Sequence, residues 1–233
     1  MCIRDRNNKS LLLNGSFFED EYLKKIDILN NLEIKSVYVF DHYQNPEIKS
    51  KPVYEIKEAI NKLNEVNKNF EIGSMVLNVR KRKKDILLND YIYQFMEIKN
   101  FNLGLGIGDE KYEKKNKIFK NNIEDIICKI QSHKIYDGNK VNIILGGNSK
   151  FFFDLCLKYS IGLNQWQGSL ENIKNKIDLF KKANINESKI SYCTKNLKFS
   201  GKELNENIEI IYALSENKTF KDQIDDISKY CLN

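Results

Sequence analysis

The chain is poor in the residues that build metal centres and crosslinks. Its 233 residues hold five cysteines, Cys2, Cys128, Cys156, Cys193 and Cys231. The count is odd, the spacings are wide and no C-x-x-C occurs. That argues against a zinc site or disulfide framework and fits a reducing compartment. Long apolar runs are missing, so no membrane association is expected. Leu11-Leu-Leu13 is far too short for a signal-peptide core, and the expected location is cytoplasmic. A concentrated basic face is missing too. Lys and Arg number 38 against 32 Asp and Glu, and the net charge of +6 is spread along the chain. The one dense cluster, Arg80-Lys-Arg-Lys-Lys84, reads as a solvated loop or as a loop facing a phosphate, and no nucleic-acid partner is expected.

What is present points to a packed α/β protein. The apolar fraction is 41%, enough for a sizeable core. Residues 1–9 begin without pattern and read as a disordered or artefactual tail, leaving 10–233 as a single domain. Short apolar, β-branched runs at 10–13, 36–41, 71–78, 101–107, 141–146, 161–165 and 189–194 read as strands. Between them, 19–32, 52–66, 84–98, 118–132, 151–159 and 170–182 carry apolar residues at helical spacing, and 220–230 is a last helix. Pro52 is expected in the first turn of the second helix. The run 208–214 is ambiguous. Alternation of this kind calls for parallel strands joined by crossovers, and seven units favour a (β/α)8 barrel with the eighth strand missing. Such a gap would expose edge strands, which a homodimer would cover.

The polar signals share one position. Asp41-His42, Gly108-Asp109-Glu110, Gly146-Gly-Asn-Ser149 and Gln165-Trp166 each follow a strand. In a parallel barrel those ends form the face where active sites are built. Each signal has two readings. Gly104, Gly106 and Gly108 either soften a core strand or admit something close to the backbone. Their G-x-G-x-G spacing, followed by Asp109-Glu110-Lys111, is a poor dinucleotide fingerprint. His42 is either a hydrogen-bonded structural residue or a proton donor in the pocket. His133 reads as surface. Asp109 and Glu110 either act in the pocket or solvate a loop and cap a helix. The 146–149 segment is either a plain N-cap or an anion site at a helix N-terminus. Trp166, the single tryptophan, either walls the pocket or fills the core.

Several of these stretches resemble the bacterial luciferase-like family of flavin and deazaflavin oxidoreductases. Val37-Tyr-Val-Phe-Asp-His42 with Pro52 is similar to that family's second strand. Ile72-Gly-Ser-Met-Val76, then Arg80 or Arg82, is similar to its third. Leu103-Gly-Leu-Gly-Ile-Gly108 with Glu113 resembles its fourth, and Ile143-Ile-Leu-Gly-Gly147 and Ile161-Gly-Leu-Asn164 its fifth and sixth. The match runs from about Leu11 to Ala183 and then fades. The resemblance implies a luciferase-like TIM barrel that uses FMN or a deazaflavin (coenzyme F-420) to pass a hydride or electrons to a small organic substrate. It implies His42 and Asp109 as catalytic residues. It implies Asp41, Ser74, Met75, Val76, Gly106, Ile107, Gly108, Gly146, Gly147, Asn148 and Trp166 as cofactor-binding residues, with a non-prolyl cis bond at Met75–Val76. The alternative is a non-catalytic flavin-binding or partner-binding barrel, a truncated remnant of the family.

Overall fold

Short runs of Val, Ile and Leu separated by amphipathic stretches produce a closed barrel. A computed structural model of the chain describes residues 8–109, 119–186, 189–199, 201–204 and 207–231. The strands are β1 (Lys9–Leu12), β2 (Ser36–Val39), β3 (Glu71–Asn78), β4 (Asn102–Gly106), β5 (Asn142–Gly146), β6 (Gly162–Trp166), β7 (Ile190–Thr194) and β8 (Glu209–Ala213). They pair in sequence order, all parallel, and β8 returns to β1 with Lys9 opposite Ile210 and Leu12 opposite Ala213. The expected gap is therefore absent. The ambiguous run 208–214 supplies the eighth strand, buried at every position. Closure also removes the exposed edges on which the homodimer expectation rested. Of the expected tail, residues 1–7 lie outside the described residues, whereas Lys9 belongs to β1 and the Asn8 carbonyl accepts from Ile210 N.

The intervening segments form α1 (Tyr22–Asn30), α2 (Ile56–Val66), α3 (Lys84–Ile86), a π-helical segment (Leu87–Ile92), α4 (Tyr93–Met96), α5 (Ile123–Gln131), α6 (Ile135–Gly138), α7 (Lys150–Tyr159), α8 (Leu170–Lys182) and α9 (Phe220–Cys231). Their apolar stripes follow helical spacing. In α2 the buried residues are Ile56, Ala59, Ile60 and Leu63, and in α5 they are Ile123, Ile126, Ile127 and Ile130. Side chains fix the starts. Asn122 caps α5 through Glu124 N, and Ser169 caps α8 through Asn172 N. Glu55, not Pro52, sets the start of α2, because its carboxylate accepts from Lys57 N at 2.7 Å and Glu58 N at 3.2 Å.

Strand side chains alternate between two cores. Leu11, Val37, Val39, Leu103, Leu105, Ile143 and Leu145 point outward and pack beneath the helices. Leu12, Tyr38, Phe40, Met75, Ile144, Cys193, Ile211 and Ala213 form a second cluster inside the barrel. The inner cluster rests on a polar floor near the strands' N-terminal ends. Glu209 is buried there and accepts from Ser10 Oγ at 2.5 Å, Tyr38 OH at 2.9 Å and Lys35 Nζ at 3.0 Å. Those donors come from β1, β2 and the residue before β2, so one carboxylate ties the closing strand to the first two. Burial alone would lower the Lys35 pKa, but Glu209 outweighs it and raises it. Burial and the same carboxylate push the Tyr38 hydroxyl well up, which keeps it a donor. Asn102 continues the floor to Ser36 Oγ, Glu71 and Asn142.

Candidate active site

Above the inner cluster the strand ends open into a cavity of about 600 Å3, to which seven strand ends or the loops after them contribute, and β3 through its interior residues Met75 and Val76. Ala213 holds an inward position there, and its small side chain leaves room in the barrel mouth. The cavity size falls in the usual range for small-molecule sites.

The floor of the cavity is Met75 and Val76. β3 bulges between Ser74 and Leu77, and the Met75–Val76 peptide bond is cis. The glycines of neighbouring strands explain how the bulge fits. A Cβ on Gly106 would meet Val76 Cγ2 at 2.5 Å, and one on Gly146 would collide with Val76 Cγ1. A Cβ on Gly104 would collide with the Ser74 carbonyl. Something does approach these backbones closely, and it is β3 itself. Gly106 is therefore under the cavity floor rather than on its wall. Ser74 is likewise buried beneath, with its hydroxyl donating to the Gly104 carbonyl at 2.9 Å.

Asp41 also departs from the expected placement. It does not line the cavity; neighbours in an extended segment face opposite ways, and Asp41 turns inward to the protein while His42 lines the cavity. Its carboxylate accepts from Asn78 N at 3.1 Å, Lys81 Nζ at 2.8 Å and Arg82 through NH1 at 2.5 Å and NH2 at 3.0 Å. Arg82 continues to Glu55 at 3.1 Å and lies 3.9 Å from the Tyr91 ring centroid. Burial by itself would lower the Arg82 pKa, but the Asp41 carboxylate reverses the effect and raises it. Lys84 pairs with Asp125 at 3.1 Å. Three cations of the 80–84 cluster are thus paired with carboxylates of the protein itself.

The remaining expected residues do meet. His42, Asp109, Met75, Val76, Ile107, Gly108, Gly146, Gly147, Asn148 and Trp166 all line the cavity. The His42 ring lies 5.1 Å from that of Phe40, and its carbonyl accepts from Lys81 Nζ at 3.0 Å. Gly108 has φ of 70°, which turns the chain after β4 and places exposed Asp109 at the rim. Glu110 and Glu113 lie outside the described residues. Ser149 is the N-cap of α7, accepting from Phe152 N at 3.3 Å, and Asn148 Nδ2 reaches the Trp166 carbonyl at 3.2 Å. Trp166 is 40% exposed, so it stands at the mouth rather than in the core. His133 stacks on Tyr93 at 4.3 Å, away from the cavity lining.

Sequence reasoning missed the opposite rim. Glu47 accepts from Lys195 Nζ at 2.6 Å, Ser215 Oγ at 2.8 Å and Glu216 N at 2.6 Å. Glu216 accepts from Ser16 N at 2.9 Å, Ser16 Oγ at 2.5 Å, Asn45 Nδ2 at 2.7 Å and Lys51 Nζ at 3.3 Å. The two carboxylates bind the loops after β1, β2, β7 and β8 into one half-rim. Burial would raise the Glu216 pKa, but the hydrogen bonds from Ser16, Asn45 and Lys51 outweigh it and lower it. The usable signal was positional: Lys195 and Glu216 each follow a strand closely. Among the described residues no cluster of three or more His, Cys, Asp or Glu side chains is placed to hold a metal, and no helix is long and apolar enough to cross a membrane.

Solved structures share this architecture. An F-420-dependent secondary alcohol dehydrogenase, in complex with an F-420–acetone adduct, aligns over 98% of this chain and 92% of its own with a TM-score of 0.64 and 10% identity. The fold is an eight-stranded parallel (β/α)8 TIM barrel, shared with that enzyme. The oxygenating constituent of 3,6-diketocamphane monooxygenase, a type II Baeyer–Villiger enzyme from the CAM plasmid of Pseudomonas putida in complex with FMN, aligns over 79% of this chain with a TM-score of 0.54 and 12% identity. This chain spans 66% of that monooxygenase. No protein-family model matches the chain, and neither does any curated protein.

Proposed function

We propose that the luciferase-like barrel is an oxidoreductase that holds FMN or a deazaflavin, coenzyme F-420, in the mouth cavity and acts on a small organic substrate. The observation that carries this reading is the cavity itself: about 600 Å3 at the C-terminal face, floored by Met75 and Val76, with His42 and Asp109 on its lining. The fold neighbours, one solved with an F-420 adduct and one with FMN, support the choice of cofactor. The residues present fit such a group. Met75 and Val76 offer an apolar bed for a flat ring, and Phe40, Ile107 and Trp166 supply further apolar surface. Gly147, Asn148 and the N-terminal end of α7 suit the cofactor's phosphate.

When bound, the cofactor supplies the hydride or electron chemistry. The chain supplies position and proton handling. His42 would donate a hydrogen bond or a proton to the reacting oxygen of the substrate, and Asp109 would serve as the second acid–base group at the rim. The half-rim built on Glu47 and Glu216 keeps the remaining loops in place around the substrate. The reading of a non-catalytic remnant rested on a missing C-terminal segment, the final strand with its tail, and of these β8 supplies the strand.

Reconstitution tests the proposal. Purified protein is titrated with FMN and with F-420, followed by fluorescence, and the loaded protein is screened for turnover of small alcohols, aldehydes and ketones. One of the two cofactors is expected to bind, and His42→Ala is expected to cost about 10²- to 10⁴-fold in turnover at unchanged melting temperature. If neither cofactor binds the folded chain, the proposal fails.

A further inference from the structure

Residue 81 touches three consecutive residues of the loop after β2. Lys81 Nζ donates to Asp41 Oδ1 at 2.8 Å and to the His42 carbonyl at 3.0 Å, and it lies 4.6 Å from the centroid of the Tyr43 ring. The Lys81 carbonyl accepts from Tyr43 OH at 3.1 Å. Arg82 meets the same carboxylate with both nitrogens of its fork and also pairs with the part-exposed Glu55, so Lys81 and Arg82 together balance the two carboxylates. What Lys81 adds is the grip on the main chain of His42, with fixed partners on either side of it. His42 is the member of this triplet whose side chain reaches the cavity.

We propose that Lys81 is a positioning residue for His42. Its ammonium, held against the buried Asp41 carboxylate, fixes the backbone from which the imidazole enters the cavity. The inference deepens the function proposed above and rests on it for the role of His42, but the placement itself is measurable without cofactor or turnover. A displacement of about 1 Å can cost an acid–base group roughly 100-fold in rate, so the grip on the His42 main chain has a catalytic consequence.

The test uses the full chain carrying His133→Gln, in which His42 is the only histidine. The imidazole Cε1–H signal is followed by two-dimensional NMR in the unliganded protein. In the parent a single sharp signal is expected. Lys81→Met should broaden or double it, and Lys81→Arg, which can reach both oxygens, should restore it. Arg82→Lys loosens the other ion pair to Asp41 by breaking its two-pronged contact but does not touch the His42 carbonyl, and its signal should stay single. Should Lys81→Met not fold, Lys81→Gln, which can serve only one of the two oxygens, is expected to double the signal. An unchanged His42 signal in the folded Lys81 variant overturns the proposal, as does equal broadening in Arg82→Lys. If His42→Ala leaves turnover intact, the proton-transfer role falls, yet the signal still decides whether Lys81 places the imidazole.

Discussion

Gly106→Ala tests how the cavity floor is built. The new methyl would sit 2.5 Å from Val76 Cγ2 and 3.4 Å from the Gly146 carbonyl. Ordinary carbon contacts lie near 3.5–4.0 Å, so the Val76 side chain must retreat by about 1 Å or more. Its other methyl is seated over Gly146, so retreat is possible only toward the cavity. Overpacking of this kind costs about 1–3 kcal/mol. Val76→Ala alone removes two methyls from a partly buried site and should cost about 1–2 kcal/mol at roughly 0.8 kcal/mol per methyl. The two changes are coupled. In Gly106→Ala/Val76→Ala the 2.5 Å clash is removed and only the 3.2 Å approach to the residue-76 Cβ remains, so the double variant should be close in stability to Val76→Ala and more stable than the sum of the single effects by about 1–3 kcal/mol. Urea unfolding of the four proteins measures the cycle, and FMN or F-420 titration reports on the floor. Gly106→Ala is expected to weaken binding by pushing Val76 upward, and the double variant to recover part of it. Additive stabilities would refute the argument that Gly106 is small for the sake of Val76.

Three further outcomes follow from the same geometry. Asp41→Asn leaves Lys81 without its carboxylate and Arg82 with Glu55 alone, and should destabilise by about 3–5 kcal/mol in urea unfolding. Tyr38→Phe deprives Glu209 of one of three donors and should cost about 1–3 kcal/mol, measured the same way. Glu216 has a folded pKa held below its ordinary 4.5, so its stabilising effect is present above that value and is lost as pH falls through the folded value. The stability gap between the parent and Glu216→Gln should therefore be widest near neutrality and narrow under acid, and a gap that grows below pH 4 would contradict the assignment.

How much of this was legible in the sequence differs by residue. The strands were readable because a parallel barrel buries both strand faces, and Ser36-Val-Tyr-Val39 needs no partner in view to be recognised. The eighth strand was not, because Glu209 interrupts its apolar run. Its acceptability depends on Ser10, Lys35 and Tyr38, which lie 199, 174 and 171 residues away. No local pattern carries that information. The long half-rim is hidden for the same reason: Glu47 meets Lys195 and Ser215 across the barrel mouth.

The glycines show a subtler limit. A glycine in a strand says that something comes close, but not what. Gly104 and Gly106 were readable as close approaches, and both are real, yet the approaching group is the β3 bulge; Gly146, read only as part of a helix cap or anion site, meets the same bulge. Asp41 and His42 carry the same lesson in one dipeptide. Adjacency made both look like pocket residues. Extended geometry sends one to the cavity and the other into the protein, and only the burial cost of a carboxylate decides which goes where: Asp41 has Lys81, Arg82 and Asn78 N to receive it. The buried acid and the cavity histidine are therefore not two members of one catalytic pair. Asp41 instead anchors the lysine that grips the chain at His42, so its influence on chemistry runs through the backbone rather than through a proton.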